Sequence, residues 1–375
     1  MGNYSHRAVS TIEIKRQDLI GHQVSNSPRI SCVLAVWNGE AYLPESIRSI
    51  QAQTFHDWEL IVVDDGSTDR TGQILDHFQR KDTRIRVYHQ SKQGLVASLN
   101  QGILAARGEY IARMDADDIS MPDRFATQLN YLDRDHNIGV CGSWIETFGV
   151  ESSEVVEYPV DDGTIRCQLL FSSSLAHPAT MFRRNLIIHH QLFYDERAVH
   201  AEDYDLWVRA SQHTRFANIP TSLLRYRIHP QQVGRRHKLT TQESSQAIRL
   251  SQLLRLGINP TPEEAQLHHQ ISRWQLESST TFLSATRAWF DKLRDANRLH
   301  TVYPGNEFVT VLGRRWSEIC SLATQEGFQT AIGFWRAPRL AASVWSPSQH
   351  VKFVVKCLLR KDPHTKFMRM GRGAN

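Results

Sequence analysis

Cysteine is scarce in this chain and poorly placed for chemistry. The five cysteines, Cys32, Cys141, Cys167, Cys320 and Cys357, lie far apart, are odd in number and form no C-x-x-C pair. That pattern argues against a disulfide framework and against a zinc site, and points to reduced thiols in a cytosolic setting. Long apolar runs are missing too. No window reaches the roughly 18 apolar residues that a membrane-crossing helix needs. The opening stretch MGNYSHRAVSTIEIK has no apolar core of the kind a secretory signal carries. After Met1-Gly2, His6 stands where a myristoylation signal wants Ser or Thr. These absences set the expectation of a cytoplasmic protein. There is also no internal repeat and no long low-complexity segment.

What remains is an ordinary globular composition, 41% hydrophobic and 22% charged over 375 residues, enough for a large core and two domains. The formal net charge of +5 and the pI near 9.0 favour anionic partners: nucleotide phosphates, an anionic membrane surface or nucleic acid. After a polar lead-in over 1–28, a regular alternation begins. ISCVLAV, ELIVVD, RIRVYH and EYIARMD read as strands. Between them lie helical segments with apolar stripes: Leu43, Ile47 and Ile50; Ile74, Leu75 and Phe78; Leu95, Leu99 and Ile103. The alternation predicts βαβ units, a mainly parallel sheet and an α/β fold. SMPDRFATQLNYLD predicts a further helix with Ser120 as N-cap, Asp123 closing an S-x-x-D box, and Phe125, Leu129 and Leu132 buried. From about 237 the patterns become helical, with one helix stopped at Gly257 and another opening at TPEEAQ. This divides the chain into a polar extension (1–28), an α/β domain (29–236) and a helical region with a basic tail (237–375).

In parallel α/β sheets, ligands sit beyond the carboxyl ends of the strands. Two acidic clusters fall there: Asp64 and Asp65 after the second strand, and Asp115–Asp118 (DADD) after the fourth. The first cluster, in VVDDGSTD, is on the plainer reading an acid-capped turn. On the functional reading it is a nucleoside pocket, in which carboxylates accept from base or ribose donors and Gly66 admits the ligand close to the backbone. The second, in MDADDIS, is either a solvated acidic loop or a hard-oxygen site for Mg²⁺ or Mn²⁺ bridging a diphosphate. A third group, Glu202, Asp203 and Asp205 in HAEDYDLWVRA, suits either acids at a helix N-terminus or a general base that takes a proton from an acceptor hydroxyl. In LLRYRIHPQQVGRR, His229 could touch metal or phosphate, and Arg225, Arg227, Arg235 and Arg236 could pair with phosphates. The commoner meaning of such a run is a basic surface strand. His177, in LAHPATMFRR, reads as a hydrogen-bonded structural histidine.

Taken in order, AVWNGEAYLPESIRSIQAQTF, WELIVVDDGSTDRT, GLVASLNQGILAARGEYIARMDADDISMPDRFATQ, HPATMFRR, AEDYDLWVR and RYRIHP resemble the family 2 glycosyltransferases over roughly 29–236. These are inverting nucleotide-sugar enzymes of the GT-A fold, and the likeness is to the bacterial polysaccharide-biosynthesis type. The resemblance implies a nucleotide-sugar pocket lined by Val36, Trp37, Asn38 and Glu40, with Asp65 on the base and Asp64 beside it. Arg113 and Ala116 would flank the donor. Asp115 and Asp117 would form the metal-binding D-x-D pair with Mn²⁺ or Mg²⁺, and His229 would join the metal from a closing loop. Asp203 would be the general base, with Glu202 beside it near the acceptor. The implied partners are a nucleoside-diphosphate sugar and a glycan or lipid-linked glycan acceptor. Ala35 and Trp37 depart from the family's usual Pro and Tyr, which bears on base preference.

Two alternatives set the contrast. A nucleotidyltransferase of similar fold should carry a phosphate-gripping basic loop after the first strand, whereas WNGEAYLPE has no Lys or Arg. A non-catalytic sugar-binding member would be expected to lack Asp117 or Asp203, and both are present. Nucleic acid is not an expected partner, because the basic charge is not organised with aromatics on a recognisable module. QISRW (Gln270–Trp274) fits the Q-x-x-R-W pattern of processive members. Here it sits in a helical segment, where an exposed Arg273 and a packed Trp274 are the plainer reading. The tail from Val351 mixes seven Lys and Arg residues with apolar ones. It is read either as a packed helix with a basic end or as a peripheral contact with an anionic inner membrane face, and the resemblance, in a family whose acceptors are often lipid-linked glycans, favours the latter.

Overall fold

The computed structural model describes residues 27–150, 153–230, 238–277, 279–324, 328–335 and 347–359. The expected alternation is present. β1 (Ile30–Val36), β2 (Trp58–Asp65), β3 (Ile85–Gln90) and β4 (Tyr110–Asp115) are joined by α1 (Leu43–Gln51), α2 (Thr71–Lys81) and α3 (Leu95–Ala105). All eight residues of β2 are buried, as expected of a strand covered on both faces. Then come β5 (Ile119–Ser120), α4 (Arg124–Arg134), β6 (Ile138–Gly149), β7 (Val155–Val156), α5 (Asp162–Gln168), a 3-10 turn at His177–Ala179, β8 (Met181–Arg183), α6 (Arg184–His190), α7 (Glu202–Ala210) and β9 (Arg215–Ile228).

The strands form one sheet in the order β3-β2-β1-β4-β8-β6-β9-β5, with β7 on β6. β3, β2, β1 and β4 are parallel, β8 runs against both β4 and β6, and β9 is parallel to β6. Chain order reverses direction at β1, and the crevice beside such a switch point is where α/β sheets hold ligands. Register then fixes the chemistry. Val36 pairs with Asp64 and Ala35 with Asp115, so both acidic clusters leave the sheet at the same edge. The stripes predicted for α1, α3 and α4 are buried, Leu95 only partly, and Leu75, Ile74 and Phe78 of α2 pack on the core.

One local expectation fails. Ser120 does not cap α4; it is a strand residue in β5, paired with Leu224 of β9. Its hydroxyl accepts from Gln53 Nε2 (3.1 Å) and its N–H donates to Ser49 Oγ (3.0 Å). Asp123 sits at the N-cap and makes no side-chain capping bond. The tertiary partners on α1 and β9 claimed the serine that local sequence would have given to the helix.

The later helices are α8 (Lys238–Arg255), α9 (Pro262–Ser272), α10 (Thr280–His300), α11 (Gly305–Leu322), α12 (Phe328–Trp335) and α13 (Pro347–Leu358). Gly257, at φ +79°, ends α8 in a conformation that few side-chain-bearing residues adopt. A capping box of Thr261 and Glu264 opens α9. These helices share a core with Cys167, Leu170 and Phe171 at the end of α5. Among the described residues no helix is long and apolar enough to cross a membrane. All five cysteines are buried, and none is in a disulfide among the described residues. The lead-in up to residue 26, together with Arg235, Arg236 and the tail beyond 359, lies outside the described residues.

Candidate active site

The adjacent carboxylates at the end of β2 are held by protein donors. Asp64 accepts from Ser67 N–H (3.1 Å) and faces His89 Nδ1 (2.9 Å). Asp65 accepts from the N–H groups of Gln93 (2.7 Å) and Gly94 (2.9 Å) and from Gln90 Nε2 (2.8 Å). Burial alone would raise the Asp65 pKa, but these donors prevail and hold it below the usual range. Gly66, at φ +70°, makes the turn possible; a Cβ there would lie 2.8 Å from Lys92 N.

The loop after β1 is laced to the loop after β2. Asn38 N–H donates to Ser67 Oγ (2.9 Å), and Thr68 N–H donates back to Asn38 Oδ1 (2.8 Å). Glu40 accepts from the Arg70 backbone and guanidinium (3.1 Å each). Trp37 stands 47% exposed with the Lys92 ammonium 3.0 Å from its ring centroid. Val36, Trp37, Asn38 and Glu40 thus share one rim with Asp64 and Asp65, Asn38 and Glu40 helping to shape it.

At the end of β4, Asp115, Asp117 and Asp118 offer carboxylate oxygens that all lie within 4.8 Å of one another. Burial, then Asp115, raises the Asp117 pKa against the opposing pull of His229. Asp118 is fully buried, and burial with the two neighbouring acids pushes its pKa well up. Its Oδ1 accepts from Arg227 N–H (2.9 Å), while Oδ2 has no hydrogen-bond partner. Clustered oxygens, one of them orphaned in the interior, suit a hard divalent cation. His229 Nε2 lies 2.8 Å from Asp117 Oδ2, so the histidine does reach the cluster. Asp118 was not singled out by the sequence, although its place in the acidic run was a readable signal.

Arg227 is not free for phosphate. It donates to the Asp117 carbonyl (2.7 Å), pairs with Glu45 and lies over the rings of Tyr42 and Phe148. Arg225 likewise lies over Phe148. Arg227 holds β9 to the acidic turn and Arg225 packs on β6, roles fixed by cross-strand neighbours and invisible in the linear run.

Glu202 and Asp203 open α7, where acids are favoured by the helix dipole. Glu202 is 7% exposed; burial, then the adjacent Asp203, pushes its pKa up to about 7. Burial also raises that of Asp203. The two acidic groups meet electrostatically at Arg113, which is buried in β4, ion-paired to Asp115, and lowers the pKa values of Glu202 and Asp203. Ala116, between the D-x-D acids, packs against the core beside α1. Around this centre stand Tyr194 and His177, whose Nε2 lies 2.7 Å from Tyr194 Oη. Desolvation and the Arg113 cation push the His177 pKa well down, so it is neutral, in keeping with a structural role. Tyr194 carries no motif, and only the tertiary structure brings it here.

Known proteins place the family and the fold. The model of glycosyl transferase family 2 matches residues 31–194. The O-antigen biosynthesis glycosyltransferase WbnJ of Escherichia coli is 32% identical over 206 residues, 53% of this chain and 80% of that protein. Among solved structures, S. aureus TarS 1-349 in complex with UDP-GlcNAc matches 87% of this chain and 90% of its own at TM-score 0.52 and 17% identity. The mannosyltransferase PcManGT from Pyrobaculum calidifontis, in complex with GDP-Man and Mn²⁺, matches 83% of this chain and 88% of its own at TM-score 0.50 and 15% identity. The mainly parallel sheet flanked by helices is the GT-A transferase fold.

Proposed function

Because the chain belongs to glycosyl transferase family 2, we propose that it moves a single sugar, with inversion, from a nucleoside-diphosphate sugar to a glycan or lipid-linked glycan acceptor in surface polysaccharide synthesis. The observation that carries this reading is the meeting of two acidic groups at one sheet edge, electrostatically joined by buried Arg113. One group is built to hold a cation and the other to accept a proton. The O-antigen role of WbnJ supports the polysaccharide setting.

The residues fit Mn²⁺ or Mg²⁺, as the orphaned Asp118 Oδ2 argues. Asp115 and Asp117 would hold the ion, with Asp118 as third carboxylate and His229 within reach through Asp117. When bound, such an ion supplies charge stabilisation to a departing nucleoside diphosphate. The rim of Val36, Trp37, Asn38, Glu40, Asp64 and Asp65 receives the nucleoside, the exposed Trp37 face offering a stacking surface. Asp203, partly exposed where Glu202 is buried, takes the proton of the acceptor hydroxyl as that oxygen attacks the sugar carbon. Glu202 then carries part of the load as a neutral or anionic neighbour. Arg113 holds Asp115 in place through their ion pair.

A peripheral membrane contact belongs to the same reading. α13 buries Phe353 and Cys357 but leaves Val351, Val355, Leu358 and Leu359 exposed, just before the basic end of the chain. An apolar strip followed by cations suits an anionic bilayer carrying a lipid-linked acceptor.

The test is calorimetry with UDP, GDP, dTDP and CMP, with and without Mn²⁺. One nucleoside diphosphate should bind only with metal. Asp117→Ala should abolish that binding, and Asp203→Asn should keep it while losing transfer by 10²–10⁴-fold, roughly the worth of a general base. No nucleotide binding under any condition would remove the donor and leave a glycan-binding protein.

A further inference from the structure

Away from the sheet edge, the helical region gathers positive charge around Phe171. Arg249 on α8 is 4% exposed. Its Nε donates to the Phe171 carbonyl (2.7 Å) and its Nη1 lies 3.3 Å from His269 Nδ1. Arg315 on α11 is 8% exposed. Its guanidinium lies 4.1 Å from the Phe171 ring centroid and 5.2 Å from that of Trp274, and Nη1 donates to the Ile271 carbonyl (3.3 Å). Arg273, at the end of α9, is half-buried, and its Nε is buried with no hydrogen-bond partner.

The three guanidiniums act on one another. Arg249 feels the repulsion of Arg273, and Arg315 that of Arg249. The two histidines cannot compensate. His268 Nδ1 accepts from Trp289 Nε1 (3.1 Å) while Nε2 faces the Leu170 carbonyl (3.1 Å), which fixes a neutral tautomer. Glu318 tempers Arg315 through space. Among the described residues none of the three arginines forms an ion pair. Buried charges normally come with partners, because removing an unpaired charge from water is costly. Carbonyls and ring faces satisfy some N–H groups but cancel no charge.

We propose that this cluster is a binding site for a phosphate-class anion, a phosphate or diphosphate group, entering beside Arg273 and gripped by the forked donors of Arg249, Arg273 and Arg315. The group comes from a soluble phosphate ester or from a lipid headgroup. The site lies on α8, α9 and α11, distinct from Asp115–Asp118 on β4 and its following turn. It also gives QISRW a reading: Trp274 packs as expected, but Arg273 is not simply a surface cation.

The experiment uses the full chain with EDTA present, so that metal-held anions at the acidic site do not contribute. Inorganic phosphate and pyrophosphate are titrated by calorimetry and by melting temperature, and vesicles of phosphatidylcholine with or without phosphatidylglycerol are tested by sedimentation. Each is run on the wild type, Arg273→Gln and Asp117→Ala. The wild type and Asp117→Ala should bind pyrophosphate and melt higher with it. Arg273→Gln should weaken binding about tenfold or more. It should also melt no lower than the wild type in phosphate-free buffer, because it relieves repulsion. If only phosphatidylglycerol vesicles bind, and Arg273→Gln weakens them, the proposal holds with a headgroup as the source. No anion binding, or binding indifferent to Arg273→Gln, overturns it. A melting temperature that falls in Arg273→Gln with no phosphate effect makes the cluster purely structural.

Discussion

Glu202 shows what a single environment does to a single carboxyl. Buried beside Asp203, with Arg113 as nearby cation and Asp115 as a further acid, it titrates near 7. The folded chain therefore keeps a proton that the unfolded chain has already released. That contribution to stability is complete below the ordinary glutamate pKa of about 4.3 and is lost as pH rises toward 7. Glu202→Gln keeps the shape and removes the titration. Denaturant unfolding should find the variant more stable than the wild type at pH 7.5, by up to about 3 kcal/mol, with the gap closing by pH 4. Parallel stability curves across that range would show that Glu202 is not held protonated. Neither the pKa nor its cause was readable from AEDYD, which shows two adjacent acids but not the tyrosines and arginine packed over them.

At the scale of elements, one buried carboxylate ties the parallel strands together. Glu59 on β2 accepts from Ser31 Oγ on β1 (2.7 Å), from Arg86 Nη1 on β3 (2.9 Å) and from the backbone (2.9 Å) and guanidinium (2.7 and 3.0 Å) of Arg107, just before β4. Burial would raise its pKa, but these donors win and hold it below the usual range. The sign is opposite to that of Glu202: its stabilisation is present above the ordinary glutamate pKa and is lost as pH falls through the lowered one. Glu59→Ala should cost about 1–3 kcal/mol in urea unfolding at pH 7, because it takes the carboxylate from half-buried Arg86 and from Ser31, while Arg107 is exposed and can turn to water. A loss below about 1 kcal/mol would mean that the arginines find water instead. Strand and helix stripes were legible because apolar periodicity reports burial directly. The Ser120 cap was not, because a helix start competes with strand pairing that only β9 can offer.

For the whole molecule, the question is where the exposed strip of α13 and the basic residues after it go. Removing residues 360–375 should leave nucleotide binding intact. It should abolish most sedimentation with phosphatidylglycerol vesicles, and the wild-type interaction should weaken as salt rises. Equal sedimentation of the full and shortened chains would place any membrane contact elsewhere. The helical region also braces α7: Gln252 of α8 donates to Tyr204 Oη (3.2 Å), beside Asp203, and accepts from Tyr303 (3.2 Å).

By itself the sequence determined the order of strands and helices, the acids that end β2 and β4, and the family, because these depend on period, turn chemistry and short motifs that local residues carry. The tertiary structure decided the rest. It set Arg113 electrostatically between Asp115 and the Glu202–Asp203 pair, spent Arg227 on the acidic turn and brought Asp118 together with Asp115 and Asp117. It also drew Arg249, Arg273 and Arg315 from three helices into one place. Burial and Coulomb interactions act across space between residues distant in the chain, and no local pattern encodes which charges will meet.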